Sequence, residues 1–333
     1  MRAFKIAETT SLSELALSEV PDPRPAAGEV LIQLRAAALN HRDLGMFDWD
    51  PDVSFILGAD GSGVIEELGP GVHGLELGAP VIIYPALDWG EREDAFSPGF
   101  SILGWPRDGT FAELVSVPAE NVTSMPSHLS FVEAAALPLS GLTAYRAVIS
   151  RAQIQPGERL VIHGIGGGVA LFALQFAKLA GASTMVTTTA AHKLDRARAL
   201  GADLAVDSQA SDWGEAARTW SQGAGVDVVI DSIGGERFAE SLLALRPGGR
   251  MVTYGTTASG LSTVDVETLF WHQLNVLGST MGSPRDFAAM IELVNSTGLK
   301  PVVDSDWPLA QGREALQRLS QGRQFGKIVL RMD

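Results

Sequence analysis

At 333 residues the chain exceeds what one ordinary core encloses, so two domains are expected. A formal charge of −14 argues against a nucleic-acid partner, because such affinity rests on basic surface. The absence of cysteine removes disulfides, thiolate nucleophiles and every cysteine-containing zinc site, and no two of the six histidines have the i, i+4 spacing of a helical metal pair.

The opening Met1-Arg2-Ala3-Phe4-Lys5-Ile6 reads as a first strand and lacks the apolar core of a signal peptide. Residues 29–36 alternate into a strand, residues 61–69 form a glycine-bounded one, and residues 81–84 and 112–117 add more. Many short strands with Gly and Pro punctuation predict a barrel-like β domain up to about Pro126. The texture then changes. Residues 131–150 are alanine-rich and helical, interrupted by Pro138 and Gly141. Strands are predicted over 159–163, 184–188, 226–231 and 250–255, with helices over 171–180, 192–200 and between the last two strands. This alternation predicts a doubly wound parallel sheet. A strand near 275–280, a helix over 284–294 and a final strand over 325–330, returning to the first domain, complete the chain. The uncharged stretch 161–177 carries His163 and four glycines at its front, so it reads as strand, turn and helix, not a membrane span. A cytoplasmic, soluble protein is expected.

Gly164, Gly166, Gly167 and Gly168 stand between an apolar strand and an apolar helix. A pyrophosphate approaches backbone closely only where side chains are absent, and helix-start amides then donate to it. Val169 breaks the strict G-x-G-x-x-G spacing, whereas Gly164-x-x-Gly167-x-x-Ala170 fits. An NAD site usually has an acid at the end of the next strand; here Thr187-Thr188-Thr189-Ala190-Ala191-His192-Lys193 has none. Hydroxyls and a cation suit a 2′-phosphate, so NADP(H) is the expected cofactor. Lys193 is the candidate cation, assisted by Thr188 and Thr189, with Arg196 a second option; a solvated helix-start lysine is the alternative reading. A methyltransferase is a rival for the glycine turn, but it too would want an acid at the second strand end.

Three further segments complete a pattern: Ala38-Leu39-Asn40-His41-Arg42-Asp43-Leu44, Leu57-Gly58-Ala59-Asp60-Gly61-Ser62-Gly63-Val64, and residues 135–145 ending in Ser140-Gly141-Leu142-Thr143-Ala144-Tyr145. With the glycine turn, Asp231-Ser232-Ile233-Gly234, residues 246–250 and Phe325-Gly326-Lys327, the chain resembles the medium-chain dehydrogenase/reductase superfamily on its zinc-free, quinone-oxidoreductase-like side. The resemblance implies an α/β fold with a GroES-like partly open β-barrel catalytic domain (residues 1–126 and 267–333) and a Rossmann doubly wound parallel sheet (residues 127–266).

In zinc-dependent members a cysteine, a histidine and a second cysteine or acid bind the metal, and the matching positions here look like Asn40, Ala59 and Ser140. None suits zinc, so the expected chemistry is hydride transfer from NADPH to an activated acceptor, a quinone or α,β-unsaturated carbonyl. A zinc-independent alcohol or carbonyl dehydrogenase and a non-enzymatic NADPH-binding module are the alternatives. The resemblance implies that Asn40 lies near the nicotinamide and substrate oxygen, with Asp43 a buried supporting acid. It places Thr143, Gly255, Thr256, Ser279, Thr280 and Met281 toward the nicotinamide, and His41 at a phosphate. Lys327 either approaches the cofactor or ends a strand at the surface. Tyr84 is the candidate proton donor, water being the other source, and His163 reads as a core histidine. Trp49, Phe55, Trp89, Trp105 and Trp271 either form an aromatic substrate pocket or are scattered aromatics. A homodimer paired along residues 275–279 is expected.

Overall fold

The computed structural model describes residues 1–6, 11–48 and 54–332. The chain divides into two compact units, Met1–Leu142 with Ser283–Asp333, and Thr143–Gly282.

The first unit begins with β1 (Arg2–Ile6), paired antiparallel with β2 (Leu17–Glu19) and, further along, with β4 (Phe55–Ile56). Its main sheet is organised by β3 (Glu29–Ala38), which pairs antiparallel with β5 (Asp60–Leu68) along one edge. The chain continues through β6 (Pro80–Ile83), a separate small hairpin of β7 (Ala86–Leu87) and β8 (Ser101–Ile102), β9 (Leu114–Pro118) and β10 (Val122–Ser124); β6 pairs with β5 and β10 with β6. Along its other edge β3 changes partner: Glu29–Gln33 pair with β9, and Ala36–Ala38 pair with the last strand of the chain. Two register shifts in the β3–β5 ladder accompany this handover and curl the sheet, as bulges do. Gly63 sits at the second shift, where a Cβ would come within 2.2 Å of the Gln33 carbonyl oxygen. The alternating apolar positions Val30, Ile32, Leu34, Ile65, Val81, Ile83, Val115 and Val117 fill the interior.

α1 (His41–Gly45) follows β3 directly. α2 (Phe131–Ala135) packs through Ala135, with Ala136 after it, against Ala36 and Ala38 of β3. These methyl-sized contacts let the helix backbone approach the sheet closely. α3 (Pro138–Tyr145) continues at once, Pro138 marking its start, and runs into a six-residue π-helical turn, Arg146–Arg151.

The second unit holds β11 (Arg159–Ile162), α4 (Gly168–Leu179), β12 (Ser183–Thr188), α5 (Leu194–Ala199), β13 (Leu204–Asp207), α6 (Trp213–Trp220), β14 (Val226–Asp231), α7 (Glu236–Ala244), β15 (Leu245–Thr253), α8 (Val266–Trp271) and β16 (Asn275–Gly278). Its six strands are parallel in the order β13-β12-β11-β14-β15-β16, which is the doubly wound topology. The expected boundaries at 126/127 and 266/267 are displaced to 142/143 and 282/283. At the first, the alanine seam attaches α2 to the β3 sheet; at the second, β16 pairs with β15 and extends the parallel sheet. The chain then returns through α9 (Pro284–Thr297), β17 (Val303–Pro308), α10 (Gly312–Ser320) and β18 (Lys327–Arg331). Ser283 caps α9 reciprocally with Asp286, and Gly298 ends it in the left-handed region. β18 joins β3 antiparallel, so the final strand returns to the first unit as the sequence indicates.

His163, just after β11, is fully buried. Its Nε2 lies 3.0 Å from Ser241 Oγ and its Nδ1 2.9 Å from Thr187 Oγ1. The Ser241 hydroxyl is already donated to the Arg237 carbonyl at 2.7 Å, so His163 must donate from Nε2 and accept at Nδ1. Trp213 meets the ring edge-on at 4.5 Å between centroids. Burial, with the Arg237 charge as a lesser cause, pushes the imidazole down to about 3. A histidine depressed in the folded state supports stability fully above its unfolded value near 6.5, and that support is lost as pH falls toward 3. Thermal unfolding between pH 7 and pH 3.5 is therefore expected to show a loss approaching about 1.4 kcal/mol per pH unit from this group. His163→Gln lowers the midpoint at pH 7 but removes that part of the slope; an unchanged slope in the variant rejects the assignment.

Candidate active site

Of the sequence-derived residues, Asn40 and Lys327 meet in a polar cluster of the first unit, and the glycines from Gly164 to Gly168 form a turn in the second. In the first, Asn40 is the N-cap residue of α1, Asp60 opens β5, Ser140 lies in α3 and Lys327 opens β18. Lys327 is 3% exposed, not a surface lysine, and Asp60 is wholly buried. The Lys327 ammonium donates to Asn40 Oδ1 at 2.5 Å and Asp60 Oδ2 at 3.0 Å, with Ser140 Oγ further off at 3.4 Å. Asn40 Nδ2 donates to Asp60 Oδ2 at 2.9 Å and faces the Ala38 carbonyl at 3.4 Å, while Asp60 Oδ1 accepts the Leu139 amide at 2.7 Å. The Ser140 hydroxyl donates to Asn40 Oδ1 across 3.3 Å. The carboxamide of Asn40 is thus engaged at both ends, and two of the three long bonds meet at Ser140.

Asp43 lies beneath this cluster. Its Oδ2 accepts the Asn40 amide at 2.7 Å, and its other oxygen is buried with no partner among the described residues. Burial pushes this carboxyl up to about 6 although the neighbouring Arg42 guanidinium pulls it down. Tyr84, directly after β6, lays its ring against Phe287 of α9 with 5.0 Å between centroids. His41 is exposed at the first position of α1.

In the second unit the turn after β11 lies where the order of strands reverses, the place at which doubly wound sheets bind ligands. Gly164 and Gly166 have φ of +73° and +122°, Gly167 is the N-cap residue of α4, and Gly168 with Val169 begins the helix. No side chain caps α4, so its first-turn amides are left for another acceptor. A Cβ on Gly166 would come within 2.9 Å of Lys193 Nζ, so this buried lysine lies against the turn and is not a solvated surface residue. Thr188 is buried at the end of β12 and its Oγ1 accepts the Ala190 amide at 3.1 Å; Thr189 is exposed.

Further along the unit, Thr143 Oγ1 reaches Met281 Sδ at 4.0 Å, and Met281 adopts the left-handed region at φ +47°. The buried Ser279 hydroxyl has no partner among the described residues, while Gly255 is half-buried and Thr256 and Thr280 are exposed. The side-chain-free turn, the open helix start and the unsatisfied Ser279 fit a dinucleotide.

Of the two readings of the aromatics, the described residues match the scattered one. Phe55 and Trp105 pack in the core of the first unit, Trp89 stacks edge-on with Phe96 and Phe100, and Trp271 is 73% exposed on α8. Trp49 lies outside the described residues.

Two family models match: the alcohol dehydrogenase GroES-like domain over residues 26–127 and the zinc-binding dehydrogenase over residues 168–296. The zinc-type alcohol dehydrogenase-like protein YogA of Leptosphaeria maculans is 33% identical over 95% of this chain and 94% of its own length. An NAD-dependent alcohol dehydrogenase of Sulfurisphaera tokodaii is 30% identical over 99% of each chain. The crystal structure of another NAD-dependent alcohol dehydrogenase superposes with a TM-score of 0.94 at 37% identity, covering 100% of both chains.

Zinc, which some of these names carry, does not fit the donor set here. Asn40, Ala59 and Ser140, which the resemblance sets at its ligand positions, offer an amide oxygen, a methyl group and a hydroxyl, and an ammonium already stands against both oxygens. Among the described residues no three His, Asp or Glu side chains gather as a metal group. The two family models, the relatives matched over nearly their whole length and the doubly wound sheet with its glycine turn make this chain a member of the medium-chain dehydrogenase/reductase superfamily, whose oxidoreductases work with pyridine nucleotides.

Proposed function

We propose that the chain is an NADPH-dependent reductase acting without zinc on an activated acceptor, a quinone or an α,β-unsaturated carbonyl. The observation that carries this reading is the Lys327 ammonium bonded to Asn40 and facing Ser140, where zinc-dependent members would need metal ligands. Bound NADPH supplies a hydride, and an electron-poor acceptor needs less polarisation than an alcohol does. Backbone amides of Gly166, Gly167, Gly168 and Val169 receive the pyrophosphate, with Gly164 shaping the turn. Thr188, Thr189 and Lys193 take the 2′-phosphate. Thr143, Gly255, Thr256, Ser279, Thr280 and Met281 surround the nicotinamide end. Asn40 orients the polar cluster, Tyr84 is the proton donor, and His41 contributes to a phosphate. The alcohol dehydrogenase names among the relatives favour a second reading, zinc-independent alcohol or carbonyl oxidation.

Pairing of two copies is part of the same proposal. β16 is an edge strand of the parallel sheet, and Val266, Phe270 and Trp271 on α8 are 66%, 63% and 73% exposed.

Three outcomes are expected. First, NADPH is oxidised in the presence of quinones or enones, and Thr188→Asp weakens NADPH about tenfold or more while leaving NADH within about threefold; titration of both cofactors by fluorescence checks this, and an NADH preference in the parent protein rejects it. Second, metal analysis finds well under one zinc per chain, and a chelator leaves turnover unchanged. Third, light scattering after gel filtration gives twice the chain mass, whereas a stable monomer at micromolar concentration counts against pairing.

A further inference from the structure

The cluster around Lys327 poses a question of charge. An ammonium this deeply buried loses several kcal/mol of hydration; the Asp60 carboxylate and two neutral oxygens hold it by hydrogen bonds, and the buried Asp43 carboxyl acts on it by charge alone. A purely structural pin would be served by an apolar side chain at no such penalty. The hydrogen bonds show where the cluster is least committed. Asp60 accepts from the Leu139 amide, Asn40 Nδ2 and Lys327, and Asn40 Oδ1 takes the shortest bond from the ammonium. The third Lys327 donor meets Ser140 Oγ only at 3.4 Å, and the Ser140 hydroxyl reaches Asn40 only at 3.3 Å, both beyond ordinary lengths. A hydroxyl held so loosely can turn toward an incoming oxygen while it keeps accepting from the ammonium, which strengthens it as a donor.

We propose that Lys327 is a positioning residue that supplies the fixed positive charge of the reaction, and that this charge reaches the acceptor oxygen through the Ser140 hydroxyl. The proposal rests on the reductase reading above. In the step it serves, the acceptor's β-carbon gains a hydride, its carbon–carbon double bond shifts to the enolate, and the electron pair comes to rest on oxygen. Ser140 Oγ–H hydrogen-bonds that oxygen, and the α-carbon then takes a proton from Tyr84 or solvent. Lys327 keeps its proton throughout, with Asp60 as its fixed counter-ion. The cluster thereby takes over the electrostatic part that a metal plays in zinc-dependent members.

The test compares Lys327→Met, Ser140→Ala and the double variant Lys327→Met/Asp60→Asn with the parent protein, using NADPH and a graded series of enones. Lys327→Met alone strands the Asp60 carboxylate and is expected to unfold at lower temperature. The double variant removes both charges and is expected to regain the thermal midpoint. Yet its kcat stays down about 100-fold, with NADPH affinity within about threefold of the parent. The deficit should be greatest for the least electron-poor enones, a trend that a packing defect would not produce. Ser140→Ala is expected to show the same trend with a smaller loss. A double variant that regains both stability and kcat overturns the inference and leaves the reductase reading standing. A parent protein that binds NADPH but turns over no acceptor overturns the reductase reading, and this inference with it.

Discussion

A buried ammonium tolerates no vague surroundings, and Lys327 with Asp60 imposes that requirement on the whole first unit. Each must be met by a partner at bonding distance, because removing either leaves an uncompensated charge worth several kcal/mol. The partners come from four places: the N-cap of α1, the start of β5, the middle of α3 and the start of β18. Much of the surrounding architecture serves to bring these four ends together. The β3 strand delivers Asn40 as it ends, its antiparallel pairing with β5 sets Asp60 beside Ala38, and its pairing with β18 brings in Lys327. The alanine seam under α2 lowers the following helix so that Ser140 arrives at the same point.

In the second unit one buried polar group is held without charge. His163 stays neutral, donating to one hydroxyl and accepting from another, and it ties β11 to β12 and α7. The adjoining turn carries no side chain of its own at Gly164, Gly166 and Gly167, and Lys193 lies against it. Gly164 and Gly166 take backbone conformations that other residues rarely adopt, and no side chain caps the helix start. One unit thus holds a buried cation with its counter-ion, and the other a helix start without a side-chain cap.

Much of this was legible in the residue order. The β11–turn–α4 context announces itself because strand, glycines and helix are contiguous, and the returning final strand carries an apolar run. His163 reads correctly as a core group because it continues an apolar strand. The role of Asp60 was missed: its partner Lys327 lies 267 residues away, and no local period links the two. Lys327 left two readings open because a lysine at a strand end is ordinary until its partners are known. β16 looked like part of the first domain because chain order says nothing of which sheet accepts an edge strand. The π-helical turn after α3 leaves no pattern that separates it from an α-helix, and β13 and α6 are too short or too polar to declare themselves.

The path of the chain through the first sheet sets an order of assembly. A ribosome releases Asp60 long before Lys327, and the whole second unit, Thr143–Gly282, emerges between them. The parallel sheet has all its strands in hand while the first unit still lacks β17 and β18. Until Lys327–Arg331 leave the exit tunnel, Asp60 lacks the Lys327 ammonium and β3 shows an open edge at Ala36–Ala38. Closure of the first unit is thus a late, long-range event, and truncation of even the final dozen residues removes both a strand and a counter-ion.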